Sequence, residues 1–254
     1  MERQVCVVTG SSSGIGAATA RLYAERGFNV AINYSREAAP AEAVAAQCRA
    51  LGAEVLVQQA DVASDADCRA LAAAVAARWG RCDVLVNNAG TTKFVHARQL
   101  DELSADDFQR IYSVNVVGAF QMVRAFESLL RAHPVSAVVN MSSIASLTGM
   151  GSSVAYAASK GALNAMTLAL ARALGPDVRV NAIAPGLVET PWLQQGLGAD
   201  RYAASVQGYQ ARAALAAVIQ PEDVARAAWY LGVDAVKTTG EVLSVDAGAR
   251  LIPL

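Results

Sequence analysis

The sequence predicts an α/β fold, with a doubly wound, seven-stranded parallel sheet between two helical layers. Three observations carry that expectation. Short apolar runs alternate with longer Ala-rich helical patterns from Val5 to Val86, and crossovers of that length demand parallel pairing. A Gly-rich turn, Thr9–Gly16, separates the first apolar run from the first helical pattern, a placement suited to a helix N-terminus that meets a phosphate. The 254 residues are 54% apolar and 17% charged, enough for a sizeable core and too apolar for disorder. No repeat or linker divides the chain, so residues 1–254 read as one domain.

The elements follow in order. Val5–Val8 is a strand, and a helix begins near Gly14. Asn29–Asn33 and Val55–Val57 are the second and third strands, with a helix over Ala38–Leu51 between them. A helix over Asp65–Arg78, capped near Ser64, leads to a fourth strand, Asp83–Val86, which ends in Asn87-Asn88-Ala89-Gly90. Ligands of such sheets sit beyond the carboxyl ends of the strands. The loops carrying Thr9–Gly16, Asp61-Val62 and Asn87–Gly90 should therefore converge on one cleft.

Ser104-Ala105-Asp106-Asp107 reads as a capping box that opens one long helix to about Ala132. Phe108, Ile111, Tyr112, Phe120, Val123, Phe126 and Leu130 supply its apolar face. Asn115, flanked by Val114 and Val116, is poor helix material, and its amide needs partners if buried. Val135–Met141 is the fifth strand and delivers Ser142-Ser143 to the same edge. The next helix carries Tyr156 and Lys160 and stops at Gly175-Pro176. Val178–Ala184 is the sixth strand, Pro221–Leu231 a helix, and Val242–Val245 the seventh strand. Trp192 to Ala217 reads as irregular, and segment 190–217 is expected to be a substrate lid.

Composition excludes several function classes. The net charge is −1 with no Lys/Arg cluster, which argues against nucleic acid or an anionic membrane as partner. Cys6, Cys48, Cys68 and Cys82 lack metal-ligand spacing, so no metal is expected. No apolar run approaches the ~18 residues of a membrane span, and no signal peptide precedes Val5. A cytoplasmic location is the expectation.

The chemistry concentrates in Tyr156-Ala157-Ala158-Ser159-Lys160. On a helix, positions i and i+4 share a face. A phenol titrates near ~10, and a neighbouring cation favours its ionised form, so Lys160 is expected to lower that value and fit Tyr156 for acid–base work. Ser143 could hold a carbonyl oxygen against the phenol. A lone Lys in so apolar a helix is costly to desolvate unless its charge is used.

Thr9–Gly16, Asn87–Gly90, Asn115, Ser143 with Tyr156 and Lys160, and Pro185-Gly186 with Thr190 occur in this order along the whole chain. In that order and spacing the sequence resembles the short-chain dehydrogenase/reductase family, in its single-domain branch with a three-layer αβα Rossmann fold. The resemblance implies a nicotinamide-dependent oxidoreductase acting on a carbonyl/alcohol pair. It implies Tyr156 as general acid or base, Ser143 as the group orienting the oxygen, and Lys160 as the binder of the nicotinamide ribose. It gives Asn115 a water linking Lys160 to solvent. The cofactor positions it implies are Gly10, Ser12, Ser13, Gly14, Ile15, Gly16, Asn33, Ser35, Arg36, Asp61, Val62, Asn88, Ala89, Gly90, Tyr156, Lys160, Pro185, Gly186, Val188 and Thr190. Asp61-Val62 matches the pair that holds adenine, and Thr190 a contact to the nicotinamide amide. Members of the family are usually homotetramers paired through two long helices and the last helix–strand region. The apolar tail Leu251–Leu254 is consistent with such an interface. Two small departures stand out: Ser146 where Gly is common, and Ala247 within the usual Asp-Gly-Gly.

Cofactor choice is read at the end of the second strand. Tyr34 stands where relatives preferring NAD carry Asp, and Arg36 could pair with a 2′-phosphate, helped by Ser12, Ser13 or Ser35. Ser13 in place of a basic residue and the nearby Glu37 point the other way. NADP(H) is the expectation, with NAD the alternative. The overall pattern is similar to 3-oxoacyl-carrier-protein reductases, which place basic residues near the ends of the two long helices. Here those ends read Ala132-His133-Pro134 and Gly175-Pro176-Asp177, with Arg131 and Arg179 nearby. A small ketone, ketosteroid-like or sugar-derived substrate therefore ranks ahead of a carrier-bound acyl chain. Trp192, Leu193, Leu197 and Tyr209 should wall its pocket. A non-catalytic dinucleotide-binding regulator is the reading of another class, and the intact Ser143, Tyr156 and Lys160 oppose it.

Overall fold

In β1 (Val5–Val8) successive side chains point to opposite faces, and all four are fully buried. A strand buried on both faces needs helices on both sides, and a computed structural model describing residues 3–251 supplies them. α1 (Gly14–Glu25) leads to β2 (Asn29–Tyr34), α2 (Ala38–Ala50) to β3 (Val55–Gln59), and α3 (Asp65–Trp79) to β4 (Val84–Asn87). After α4 (Ala105–Tyr112) and α5 (Ala119–Arg131) come β5 (Ser136–Met141), the one-turn α6 (Ala145–Thr148) and α7 (Val154–Leu174). Then follow β6 (Val178–Pro185), α8 (Pro191–Leu197), α9 (Ala199–Arg212), α10 (Pro221–Trp229) and β7 (Val242–Val245).

The strands pair in the order β3-β2-β1-β4-β5-β6-β7, all parallel. The sheet divides the core in two. Cys6, Val8, Val30 and Ile32 face Ala17, Tyr23, Val44 and Val224 of α1, α2 and α10. Val5, Val7, Leu85 and Val138 face Leu71, Met122, Phe126 and Leu170 of α3, α5 and α7. Strand order reverses between β1 and β4, and the crevice at that switch point opens on the carboxyl edge. Predicted strand positions and the fold class agree with this sheet.

Three expectations about the helices need correction. The helix starting at the Ser104 capping box is not continuous: residues Ser113–Gly118 form a π segment between α4 and α5. Asn115 causes it. The residue is 1% exposed, its side chain bonds the Thr91 backbone and Ser159, and its β-branched neighbours are weak helix formers. Phe120 is 41% exposed and does not join the apolar face. The buried stripe runs Ile111, Asn115, Gly118, Ala119, Met122, Phe126, Leu130, and Phe120 falls off its phase.

The segment read as irregular is two helices, α8 and α9. Thr190 caps α8 by accepting from Leu193 N at 3.3 Å with Pro191 in the first turn, and Gly198 at φ 76° divides it from α9. Only Tyr209 is buried in α9, so no apolar stripe signalled a helix.

Arg179, considered as a docking cation, is buried and donates to the carbonyls of Leu231, Gly232 and Ala235 at 2.6–3.0 Å. Arg131 is spread over Glu127, Asp177 and the last carbonyls of α7. All four cysteines are buried and free. Among the described residues no helix is long and apolar enough to cross a membrane, and no His/Cys/Asp/Glu group could hold a metal ion. Of the tail, Leu251 is exposed, and residues 252–254 lie outside the described residues.

Candidate active site

The first loop is built by backbone donors seeking partners. Thr9 Oγ1 accepts from Asn88 N at 2.9 Å and Ala89 N at 3.0 Å, and Asn88 Nδ2 returns bonds to Thr9 O and Gly10 O. This latch leaves no room at Gly16, where a Cβ would lie 2.5 Å from both Asn88 Nδ2 and Gly10 O. Gly14 sits at φ +53°, and a Cβ there would lie 3.1 Å from Thr190 Cγ2, so the loop after β6 covers the start of α1. Ser13 makes no side-chain cap, and no acidic residue occupies the first turn of α1. Ser12 and Ser13 are accessible beside that positive end, and Ile15 packs on the core. A glycine-shaped turn opening on an uncapped helix N-terminus fits the pyrophosphate of a dinucleotide.

The other candidate cofactor positions surround this turn. Asn33 is 2% exposed, and its side chain is consumed inside the protein: Oδ1 accepts from Gly10 N at 3.0 Å and Nδ2 donates to Ala60 O at 2.9 Å. It is a strut between β1 and β3. Ser11, passed over in the sequence, completes the strut by accepting from Asn33 N. Ser35 and Arg36 are exposed just beyond β2, and Arg36 makes no hydrogen bond or ion pair among the described residues. Val62 is buried against Gly118 and its carbonyl accepts from Gln121 at 2.8 Å, while Asp61 is exposed. Pro185 O accepts from Ile144 N, Gly186 N donates to Val245 O, and Val188 packs in the core bridged to Ile219.

β5 and α7 bring the chemical groups together. Lys160 is 3% exposed, and Nζ donates to Met141 O at 2.7 Å and lies 5.5 Å from the centre of the Tyr156 ring. Among the described residues no carboxylate pairs with it, and burial pulls its pKa down to about 8. The Tyr156 phenol moves the opposite way from expectation: burial pushes it up to about 12, opposed by a hydrogen bond with Ser143. Desolvation of the phenol outweighs the groups that would favour its ionised form. Gly90 adjoins both Asn115 and Lys160: a Cβ there would lie 3.5 Å from Asn115 Oδ1 and 3.7 Å from Lys160 Nζ. Asn115 itself touches α7 through Ser159, whose hydroxyl donates to Tyr156 O at 2.7 Å. Ser159 is thus a further site residue, hidden in sequence because a Ser between Tyr and Lys carries no distinct signal.

The mouth is closed by groups that the sequence did not single out. Phe94, beyond β4, packs against Trp192 of α8 in a tilted pair with ring centres 5.5 Å apart and fills the space over Gly196. Thr92 and Ser152 hydroxyls meet at 2.7 Å. Trp192 is 42% exposed and Leu193 half-buried, whereas Tyr209 is no pocket wall. It is buried, donates to Asp246 O at 2.6 Å and anchors α9. A separate cavity of about 600 Å³, lined by Arg3, Arg78, Trp79 and Arg81 among others, lies at the amino edge of the sheet, away from these groups.

Comparison with known proteins agrees with this architecture. A family model described as enoyl-(acyl carrier protein) reductase matches residues 10–250. A chain from Burkholderia xenovorans described as a short-chain dehydrogenase/reductase is 43% identical, with a TM-score of 0.91 and 99% of each chain covered. A protein of Streptomyces violaceoruber described as ketoacyl reductase 2 of the granaticin polyketide synthase is 41% identical over 251 residues, 99% of this chain and 98% of that one. The 3alpha-hydroxysteroid dehydrogenase of Mediterraneibacter gnavus is 33% identical, with 98% of each chain covered.

Proposed function

This chain belongs to the short-chain dehydrogenase/reductase family, and from that premise we propose an NADP(H)-dependent reduction of a ketone to a secondary alcohol, or its reverse, with Tyr156 as general acid or base. The observation that carries the reading is the meeting of three groups: the Tyr156 phenol bonded to Ser143, on one helix face with the buried Lys160. The bound nicotinamide supplies or accepts the hydride. Ser143 orients the carbonyl oxygen. A phenol held near 12 is protonated at neutral pH, the state a proton donor needs. Lys160 keeps its charge below about pH 8, binds the ribose hydroxyls and offsets charge that builds on the phenol oxygen. Asn115, in the π segment, holds the water through which the proton is replaced. α8 and α9 form the lid, fastened by Tyr209 and by Glu189, which accepts from Gln220 and Tyr202.

The unpaired Arg36, with Tyr34 in place of an acid, supports NADP(H). Replacing Arg36 by Asp is expected to raise the NADPH Kd about 10- to 100-fold, the scale of a lost charge-assisted hydrogen bond, and to leave NADH turnover equal or higher. A wild-type kcat/KM for NADH at or above that for NADPH rules the assignment out.

Carrier-bound 3-oxoacyl reduction is the second reading, favoured by the ketoacyl reductase among the relatives. The engagement of Arg131 and Arg179 within the protein weighs against a docking role for them. NADPH oxidation against cyclic ketones, ketosteroids, sugar ketones, and 3-oxoacyl thioesters with and without a carrier decides between the two. Turnover of free ketones is expected to exceed that of carrier-bound ones, and the opposite order selects the second reading. Assembly as a homotetramer is part of the proposal, supported by Val117, Phe120 and Leu168, each 41–53% exposed beside or on α5 and α7.

A further inference from the structure

Ser146, which replaces the Gly common after the Ser pair, is not idle. Its hydroxyl donates to the Ser143 carbonyl at 2.5 Å and accepts from Asn164 Nδ2 at 2.8 Å. Asn164 Oδ1 in turn accepts from the Ser142 hydroxyl at 2.6 Å. Each hydroxyl has one proton, and the three bonds use them in one direction: Ser142 to Asn164, Asn164 to Ser146, Ser146 to Ser143. Asn164 lies four residues beyond Lys160 and eight beyond Tyr156 on α7, so all three share a face. The other side of the loop is held by β6, through Ser142 N to Ile183 O and Ile144 N to Pro185 O.

We propose that Ser142, Asn164 and Ser146 are positioning residues that clamp the Ser143 loop to the helix bearing Tyr156 and Lys160. The backbone bonds to β6 hold the loop to the sheet, and side chains hold it to α7. Lys160 ties α7 to Met141 O just before the loop, and the Ser142 hydroxyl lies 3.3 Å from Lys160 O; the side-chain chain extends this attachment to the third turn of the catalytic helix and carries it on to Ser143. With Gly at 146 the Ser143 carbonyl would keep its backbone donor, Ser146 N at 3.0 Å, but lose its link to α7. A reacting group displaced by about an ångström loses up to about 10²-fold in rate, so the spacing between Ser143 and the phenol is where this device acts.

The proposal rests on the oxidoreductase reading above, and its test separates the two. Ser146→Gly, Asn164→Ala, their double variant and Ser146→Thr are made in the full chain. Tyrosine is labelled with ¹³C at Cζ, and the Tyr156 resonance is assigned by its loss in Tyr156→Phe. Ser146→Gly and Asn164→Ala should move that resonance in the direction Ser143→Ala moves it, and Ser146→Thr should bring it back. They should lower kcat about tenfold with NADPH Kd within twofold, and the double variant should lose no more than Asn164→Ala alone, because that substitution already cuts the chain on both sides. A resonance that stays in place in both variants, or losses that multiply in the double variant, overturns the proposal. The resonance needs no turnover. If it moves while the wild type reduces no ketone, the clamp stands and the oxidoreductase reading falls.

Discussion

Tyr156→Phe is expected to lower kcat/KM for NADPH-dependent ketone reduction about 10³-fold, within the range for a positioned general acid, while NADPH Kd changes less than about threefold. The substitution removes one oxygen and keeps the ring, so its packing against Gly151, where a Cβ would lie 3.4 Å from Tyr156 Cδ1, is retained. Lys160 keeps its bond to Met141 O, and the glycine turn is untouched. Loss of chemistry with retained binding is the pattern of an interaction used mainly in the transition state. Stopped-flow turnover and fluorescence titration of NADPH measure the two halves. Turnover within a few-fold of wild type removes Tyr156 from the mechanism. Binding lost in parallel would reassign the residue to holding the cofactor.

Lys160→Met is the second large effect, and it should act on activity and stability in opposite senses. On the proposed mechanism kcat falls at least about 10²-fold, because a charge beside the developing phenolate is lost in a dry site. Stability behaves differently, because the ammonium is buried without a carboxylate. Its pKa of about 8 in the folded protein, against an ordinary 10.5, corresponds to about 3 kcal/mol at most by the usual conversion. The pKa is depressed for a base, so between about pH 8 and 10.5 the unfolded chain holds more protons than the folded one. Wild-type stability then rises with pH in that window relative to the variant. Below pH 8 both states are charged and the whole cost is present. The variant should therefore match or exceed the wild type in Tm at pH 7, less the cost of stranding the Met141 carbonyl, and lose ground as pH rises to 10.5. A gap between the two that does not change with pH contradicts the burial of a charged Lys160. In reduction, activity should fall as pH rises through about 8.

The sheet was legible because its signals are local and repeated. Val5–Val8 and Val242–Val245 are apolar runs bounded by turns, and strands buried on both faces leave that pattern whatever they pack against. The turn at Thr9–Gly16 was legible for a similar reason: a Cβ at Gly16 has nowhere to go. Residues whose work depends on a distant partner were not. Asn33 reads as a strand-end polar group, and only the fold reveals that it ties Gly10 to Ala60. Arg179 has the sequence context of a surface cation, yet it serves carbonyls more than fifty residues away. The helices α8 and α9 escaped because glycines interrupt them and their faces are almost wholly exposed. The spacing of Tyr156 and Lys160 was visible in the sequence, but the balance between charge and desolvation was not. That balance depends on how deeply the fold buries the phenol, and it runs towards a protonated phenol.

The most direct test of the account is transfer of label from cofactor to product. NADPH carrying deuterium at C4 of the nicotinamide is incubated with the protein and a ketone that it turns over, and the alcohol is analysed by mass spectrometry. The account predicts deuterium on the carbinol carbon, one per NADPH consumed, with transfer by Tyr156→Phe slower by about the factor given above. NADPH that binds but delivers no deuterium to any carbonyl compound, or transfer at the wild-type rate by Tyr156→Phe, contradicts it.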